Sequence, residues 1–119
     1  MNVAVLGASA DPEKYATQAI RLLREKGHKV FPVHPALKDV EGVKVYPSLD
    51  RIPEKVDTIS LYVSEKVSSG LAGDIIAKAP RRVIFNPGAE NAALEEGIRS
   101  RGIQALRACT LVLLKTGQF

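Results

Sequence analysis

The sequence predicts an α/β fold, a doubly wound parallel five-stranded sheet with helices on both faces. Three observations carry this. Strand-like and helix-like patterns alternate from end to end of the 119 residues. The strand segments are apolar on both faces, as parallel strands covered by helices must be. The strands end at turn-forming or small residues, as at Gly7-Ala8-Ser9 and Asn86-Pro87-Gly88. With right-handed crossovers, a chain that starts at the centre and reverses after its third strand takes the order 3-2-1-4-5.

The elements follow in turn. Val3 to Leu6 is a short buried strand. Asp11-Pro12 signals a helix start, and Ala16, Ile20 and Leu23 share one helix face until Gly27 stops it. "HKVFPVHP" is the second strand, ended by Pro35. "VEGVKVYPSLDRIPEKVD" is an irregular connection. Within it, "VKVY" is a candidate edge strand and "SLDRIP" a single helical turn begun by Ser48. "TISLYV" is the third core strand. Ser64 can cap the helix after it, whose apolar face would be Val67, Leu71 and Ile75, with Pro80 as its end. "RRVIFN" is the fourth strand. A helix from about Glu90 carries Leu94 and Ile98, and Gly102 closes it. "IQAL" is the fifth strand. "CTLVLLK" fits a short helix or a last strand, and the helix is favoured because Thr110 can cap it and Gly117 can end it.

Composition bounds the function classes. Hydrophobic residues are 45% and charged residues 25%, a normal globular balance. One compact domain fits this length. Trp is absent, so the core must be built from Val, Leu, Ile and Ala. No apolar run approaches the roughly 20 residues of a membrane span, and the start has no secretory pattern. A cytoplasmic protein is expected. The single Cys109 fits a reducing compartment. The formal charge of +4 is a mild bias toward anionic partners. The basic residues are scattered rather than clustered with aromatics, which argues against nucleic acid.

In such a sheet ligands bind at the carboxyl ends of the strands, beside the point where strand order reverses. Four segments stand there: Gly7-Ala8-Ser9, Val33-His34-Pro35, Tyr62-Val63-Ser64 and Asn86-Pro87-Gly88. Gly7 lets backbone approach a ligand, and Ala8 and Ser9 keep the loop narrow. Amides at the following helix start would face an anion. The spacing matches neither G-x-G-x-x-G nor a Walker A loop, so a plain tight turn explains the stretch equally well. Lys14 follows, within reach of a phosphate or simply solvated.

The second strand end discriminates better. Enzymes that use NAD place an acid there to bind the ribose hydroxyls. Here Val33-His34-Pro35 stands instead, with Lys38 beyond. A carboxylate would repel a phosphorylated ribose, whereas His34 and Lys38 would attract one. The expectation is a cationic notch free of carboxylates, favouring a nucleotide with an additional phosphate. Val63 could pack on an adenine face. Asn86 offers a donor and acceptors to an amide-bearing ligand, or forms an exposed turn. Catalytic and metal-binding patterns are not found: Asp57, Glu65, Asp74 and Glu90 are isolated carboxylates, and no metal spacing occurs. Cys109 is a small hydrophobe or a thiol near the cleft.

The segments "LGASADPEKYA", "LREKGHKVFPVHP" and "VEGVKVYPSLDRIPEKVD" resemble, in order and spacing, the small stand-alone CoA-binding proteins. These are similar to the CoA-binding domain at the front of the succinyl-CoA synthetase α-subunit. The resemblance covers nearly the whole chain and is most specific over residues 5–63. It implies a Rossmann-like fold that holds coenzyme A with its ADP portion over the strand ends. By position, Gly7, Ala8 and Ser9 would line the phosphates, with Lys14 nearby. Val33, His34, Pro35 and Lys38 would meet the 3′-phosphate region of the adenosine. Tyr62, Val63 and Ser64 would flank adenine or ribose, and Asn86, Pro87 and Gly88 would lie toward the pantetheine arm. His34 replaces the family's usual Asn, and Ser64 stands where a lysine is common. The synthetase's phosphohistidine segment is not present, so ligase activity does not carry over.

The resulting expectation is a small non-catalytic protein that binds CoA or an acyl-CoA, a small-molecule nucleotide ligand, with neither nucleic acid nor membrane as partner. A homo-oligomer or another protein partner stays open. The alternatives are a nucleotide- or NAD(P)-dependent enzyme using the same cleft, and a redox role in which Cys109 forms a mixed disulfide with the CoA thiol.

Overall fold

The computed structural model describes residues 1–119. Five parallel strands form the sheet: β1 (Asn2–Leu6), β2 (Lys29–Val33), β5 (Thr58–Leu61), β6 (Arg82–Phe85) and β7 (Gln104–Arg107). Their order is β2-β1-β5-β6-β7. Between β2 and β5 lies a small hairpin, β3 (Asp39–Val40) and β4 (Val43–Lys44), and a 3-10 turn at Leu49–Arg51. The helices are α1 (Tyr15–Glu25), α2 (Glu65–Ser69), α3 (Ala72–Lys78), α4 (Ala92–Arg99) and α5 (Thr110–Lys115).

Counting only the sheet strands, the order is 2-1-3-4-5, which corrects the expected 3-2-1-4-5. The third core strand does not add outside β2, and the local chemistry says why. Pro32, in β2, has no N–H for a further ladder. The outward-facing carbonyl of Pro32 accepts the Tyr46 N–H at 2.9 Å, and the His34 N–H donates to the Tyr46 carbonyl at 3.0 Å. The connection itself therefore occupies that edge, and β5 pairs with the open side of β1.

Alternation along β1 sends its residues to two cores. Ala4 and Leu6 join Phe31, Ile59, Ile75, Phe85 and Ile98 beneath α3, α4 and the 3-10 turn. Val3 and Val5 join Ala16, Ile20, Leu23 and Leu114 beneath α1 and α5. Both sets are almost fully buried, so the strand ends sit on a rigid frame.

Four element boundaries are set differently from the sequence expectation. Helix α1 begins at Tyr15, after a turn in which Asp11 Oδ1 accepts the Glu13 amide at 2.9 Å. The Asp11-Pro12 signal thus closes a turn rather than opening the helix. The helix expected across Val67, Leu71 and Ile75 is broken into α2 and α3 around Gly70, a poor helix former. Ile75 is buried, but Val67 is 50% exposed. Asn91 is the N-cap of α4, accepting the Leu94 amide at 3.1 Å, while Glu95 accepts the Asn91 amide at 3.0 Å. Cys109, not Thr110, holds the N-cap position of α5, because the Thr110 hydroxyl turns inward to Ser60.

Candidate functional site

The carboxyl ends of β1, β2 and β5 open into a cleft of about 450 Å³. Its floor and walls are Leu6, Gly7 and Ala8 after β1, Val33, His34 and Pro35 after β2, and Pro47, Ser48 and Leu49 from the connection. Val63, Val67, Leu71 and Asp74 close it from the α2–α3 side. A smaller groove of about 330 Å³ lies on the other side of the β1 loop. Gly7, Ser9, Lys14, Tyr15, Ala16 and Tyr62 line it. Gly7 belongs to both, so its loop divides two recesses.

Gly7 is fixed by geometry. Its φ is +88°, and an added Cβ would lie 2.9 Å from the Tyr62 carbonyl oxygen. The amides of Gly7 and Ala8 both donate to the Val33 carbonyl at 3.3 Å. They staple the β1 loop to the end of β2 and are committed to that role. The amides of Ser9, Ala10, Tyr15, Ala16 and Thr17 have no such backbone partner. The unbonded amides are thus those leading into the helix start beside Lys14, where the sequence expects an anion, and not those of Gly7 and Ala8. Thr17 donates from its hydroxyl to the Ser9 carbonyl at 2.8 Å, which holds the loop against α1.

His34 organises the turn after β2. Its Nδ1 accepts the amides of Ala36 at 3.0 Å and Leu37 at 3.2 Å. This is the capping job an Asn side chain does in such a turn, and it leaves Nε2 as the nitrogen that carries the ring proton. Lys38 is exposed and lies outside both recesses. Its carbonyl accepts the Val45 amide at 2.9 Å at the base of the hairpin.

Tyr62 turns its ring to the smaller groove and its hydroxyl inward. That hydroxyl is buried without a hydrogen-bond partner. Burial pushes its pKa up to about 12, against the opposing effect of the nearby Thr110 and Ser60 hydroxyls. Ser64 caps α2, its hydroxyl accepting the Val67 amide at 3.4 Å.

Two expectations are corrected. Asn86 is not an exposed ligand contact: it is 1% exposed. Its Nδ2 donates to Ser60 Oγ at 2.9 Å and the Leu61 carbonyl at 2.8 Å, and its Oδ1 accepts the Thr110 amide at 2.8 Å. The side chain is spent on joining β5, β6 and α5. Pro87 and Gly88 are exposed but line neither recess, and the Gly88 amide donates to Glu90 at 2.9 Å. Nor is the cleft free of carboxylates, because Asp74 lines it. Sequence reasoning treated Asp74 as an isolated acid, and Val67 and Leu71 as core positions. The break at Gly70 turns all three toward the cleft side, and Gly70 was the signal available for it.

A Rossmann-like α/β domain with its cleft at the carboxyl ends of β1, β2 and β5 is thus the class that fold and geometry define. A family model described as a CoA binding domain matches residues 1–115. The chain belongs to this CoA-binding-domain family.

Relatives place it further. The α subunit of acetate–CoA ligase [ADP-forming] II from Pyrococcus furiosus is 42% identical over 65 residues, 54% of this chain and 14% of that protein. The chain thus spans about a seventh of that relative's length. A crystal structure of an uncharacterized protein superposes with a TM-score of 0.93 at 36% identity, covering 99% of this chain and 97% of the other. The dinucleotide-forming acetyl-coenzyme A synthetase 1 of Ca. Korarchaeum cryptofilum, solved with phosphate and ADP, gives 0.75 at 30% identity, covering 89% of this chain and 25% of that one.

Proposed function

We propose that the chain binds coenzyme A or an acyl-CoA and does not itself catalyse a reaction. The adenosine part occupies the cleft, against Val33, Pro35, Leu49 and Val63. The diphosphate crosses the Gly7 loop toward Ser9, Lys14 and the start of α1. One observation carries this reading. The loops after β1 and β2 are stapled together at the Val33 carbonyl, which forms an apolar slot in advance and sets unbonded amides beside it. An apolar recess with few polar groups next to a cationic, amide-rich edge suits a nucleoside diphosphate. Membership of the CoA-binding-domain family names CoA among such ligands.

The side chains support binding rather than turnover. His34 Nδ1 is committed to two backbone amides, and Asp74 has no ion-pair partner. Ser48, on the cleft wall, spends its hydroxyl on Asp50 two residues on, a contact within the connection. Calorimetry with CoA, dephospho-CoA and NAD tests the reading. CoA is expected to bind most tightly and NAD most weakly. NAD binding as tightly as CoA would favour a nicotinamide-dependent function in the same cleft.

A further inference from the structure

Asp74 is the only carboxylate lining the cleft. It stands in the first turn of α3 and takes part in none of the protein's four ion pairs. A first-turn acid complements the helix dipole, but that does not require a place on the cleft wall. The remaining polar side chains there are few. Ser48 directs its hydroxyl to Asp50. His34 is held in orientation through Nδ1 and keeps one free donor, Nε2–H. The cleft therefore offers a lone donor from the β2 side, a lone anionic acceptor from the α3 side, and apolar surface between them.

This pattern selects among the parts of a nucleotide. A phosphate would be repelled by the carboxylate. A ribose would leave most of the apolar wall uncovered. A flat purine carrying an amine on one edge and a ring nitrogen on the opposite edge matches both groups and covers the wall. We propose that Asp74 is a specificity-determining residue, its carboxylate accepting a hydrogen bond from the exocyclic amine of the ligand's purine while His34 Nε2–H serves a ring nitrogen. The inference rests on the CoA reading above and names the side chain that reads the base in the cleft.

The test compares CoA with its analogue lacking the 6-amino group (purine in place of adenine) by calorimetry. Loss of a hydrogen bond to a charged acceptor predicts about tenfold weaker binding of the analogue by the native protein. Asp74→Ala should weaken CoA by about the same factor and leave the analogue's affinity unchanged. Asp74→Asn, which keeps a neutral acceptor, should retain part of the preference. Unchanged far-UV circular dichroism and melting show that the variants fold, as expected for an exposed position. Equal binding of CoA and its analogue by the native protein overturns the inference while leaving the CoA reading intact. So does tighter CoA binding by Asp74→Ala, which would put a phosphate beside the carboxylate. Failure of the native protein to bind CoA at all sinks the CoA reading, and this inference with it.

Discussion

Single residues decide whether the site exists. Gly7 has a backbone conformation that L side chains rarely adopt, and a Cβ there meets the Tyr62 backbone as well as the Val63 side chain. Gly7→Ala is expected to destabilise the fold by about 1–3 kcal/mol and to weaken CoA binding, because the loop must part from Tyr62. Denaturant melts and calorimetry on the same preparation read both effects. Lys38 makes a different case. It is exposed and outside both recesses, so its contribution to binding is a screened charge. Lys38→Ala should weaken CoA by roughly two- to fivefold and leave dephospho-CoA unchanged. An equal loss for both ligands would separate Lys38 from the 3′-phosphate. Gly7 was legible in the sequence because strand, glycine and helix stand together. Asn86 was misread because an Asn-Pro-Gly turn looks the same whether its Asn faces solvent or the core.

Elements are joined by two polar clusters, and both are structural. Asn86 links β5, β6 and α5 through four groups: Ser60 Oγ, the Leu61 carbonyl, the Thr110 amide and, through Ser60, the Thr110 hydroxyl. Asn86→Ala leaves buried partners unsatisfied and should cost roughly 2–4 kcal/mol, read by urea unfolding. The CoA affinity of the folded fraction should not change. Glu95 links α4 to β7. Burial of its carboxyl opposes ionisation. Arg107 Nε, bonded to both oxygens at 2.9 and 3.0 Å, outweighs that together with the Asn91 amide and Arg99. The pKa is thereby held below its ordinary value of 4.5. A depressed folded pKa means the unfolded chain binds the proton first. The stabilisation is thus complete above the ordinary carboxylate range and drains away as pH falls through the folded value. Glu95→Gln should lower stability at neutral pH and flatten the acid limb of a stability–pH profile. An unaltered acid limb would show that other carboxylates govern it. Neither cluster was readable in advance, since Asn86 and Thr110, like Glu95 and Arg107, meet only after the strands have paired. The α2–α3 break was half legible, through Gly70 alone.

For the whole molecule, the class of fold follows from alternation and two-sided apolar strands, and those properties are local. Strand order is not local. It turned on whether β2 keeps a free outer edge, and Tyr46, thirteen residues beyond Val33, takes that edge. The consequence reaches function, because with β5 beside β1 the Tyr62–Val63 end abuts the Gly7 loop and the cleft closes there. Residues 6–8, 33–35, 47–49, Val63, Val67, Leu71 and Asp74, with Ser9 and Lys14 across the Gly7 loop, come together only in the folded chain. A ligand spanning them has no counterpart site in the unfolded ensemble, so its binding energy adds to folding stability. At one hundred times its dissociation constant, CoA should stabilise by about 2.7 kcal/mol. For a domain of this size that raises the melting temperature by roughly 10 °C. Adenosine at the same concentration reaches the cleft but not Ser9 and Lys14, and should give a smaller shift. Scanning calorimetry with each ligand measures both, and an adenosine shift equal to that of CoA would remove the Ser9–Lys14 edge from the binding surface.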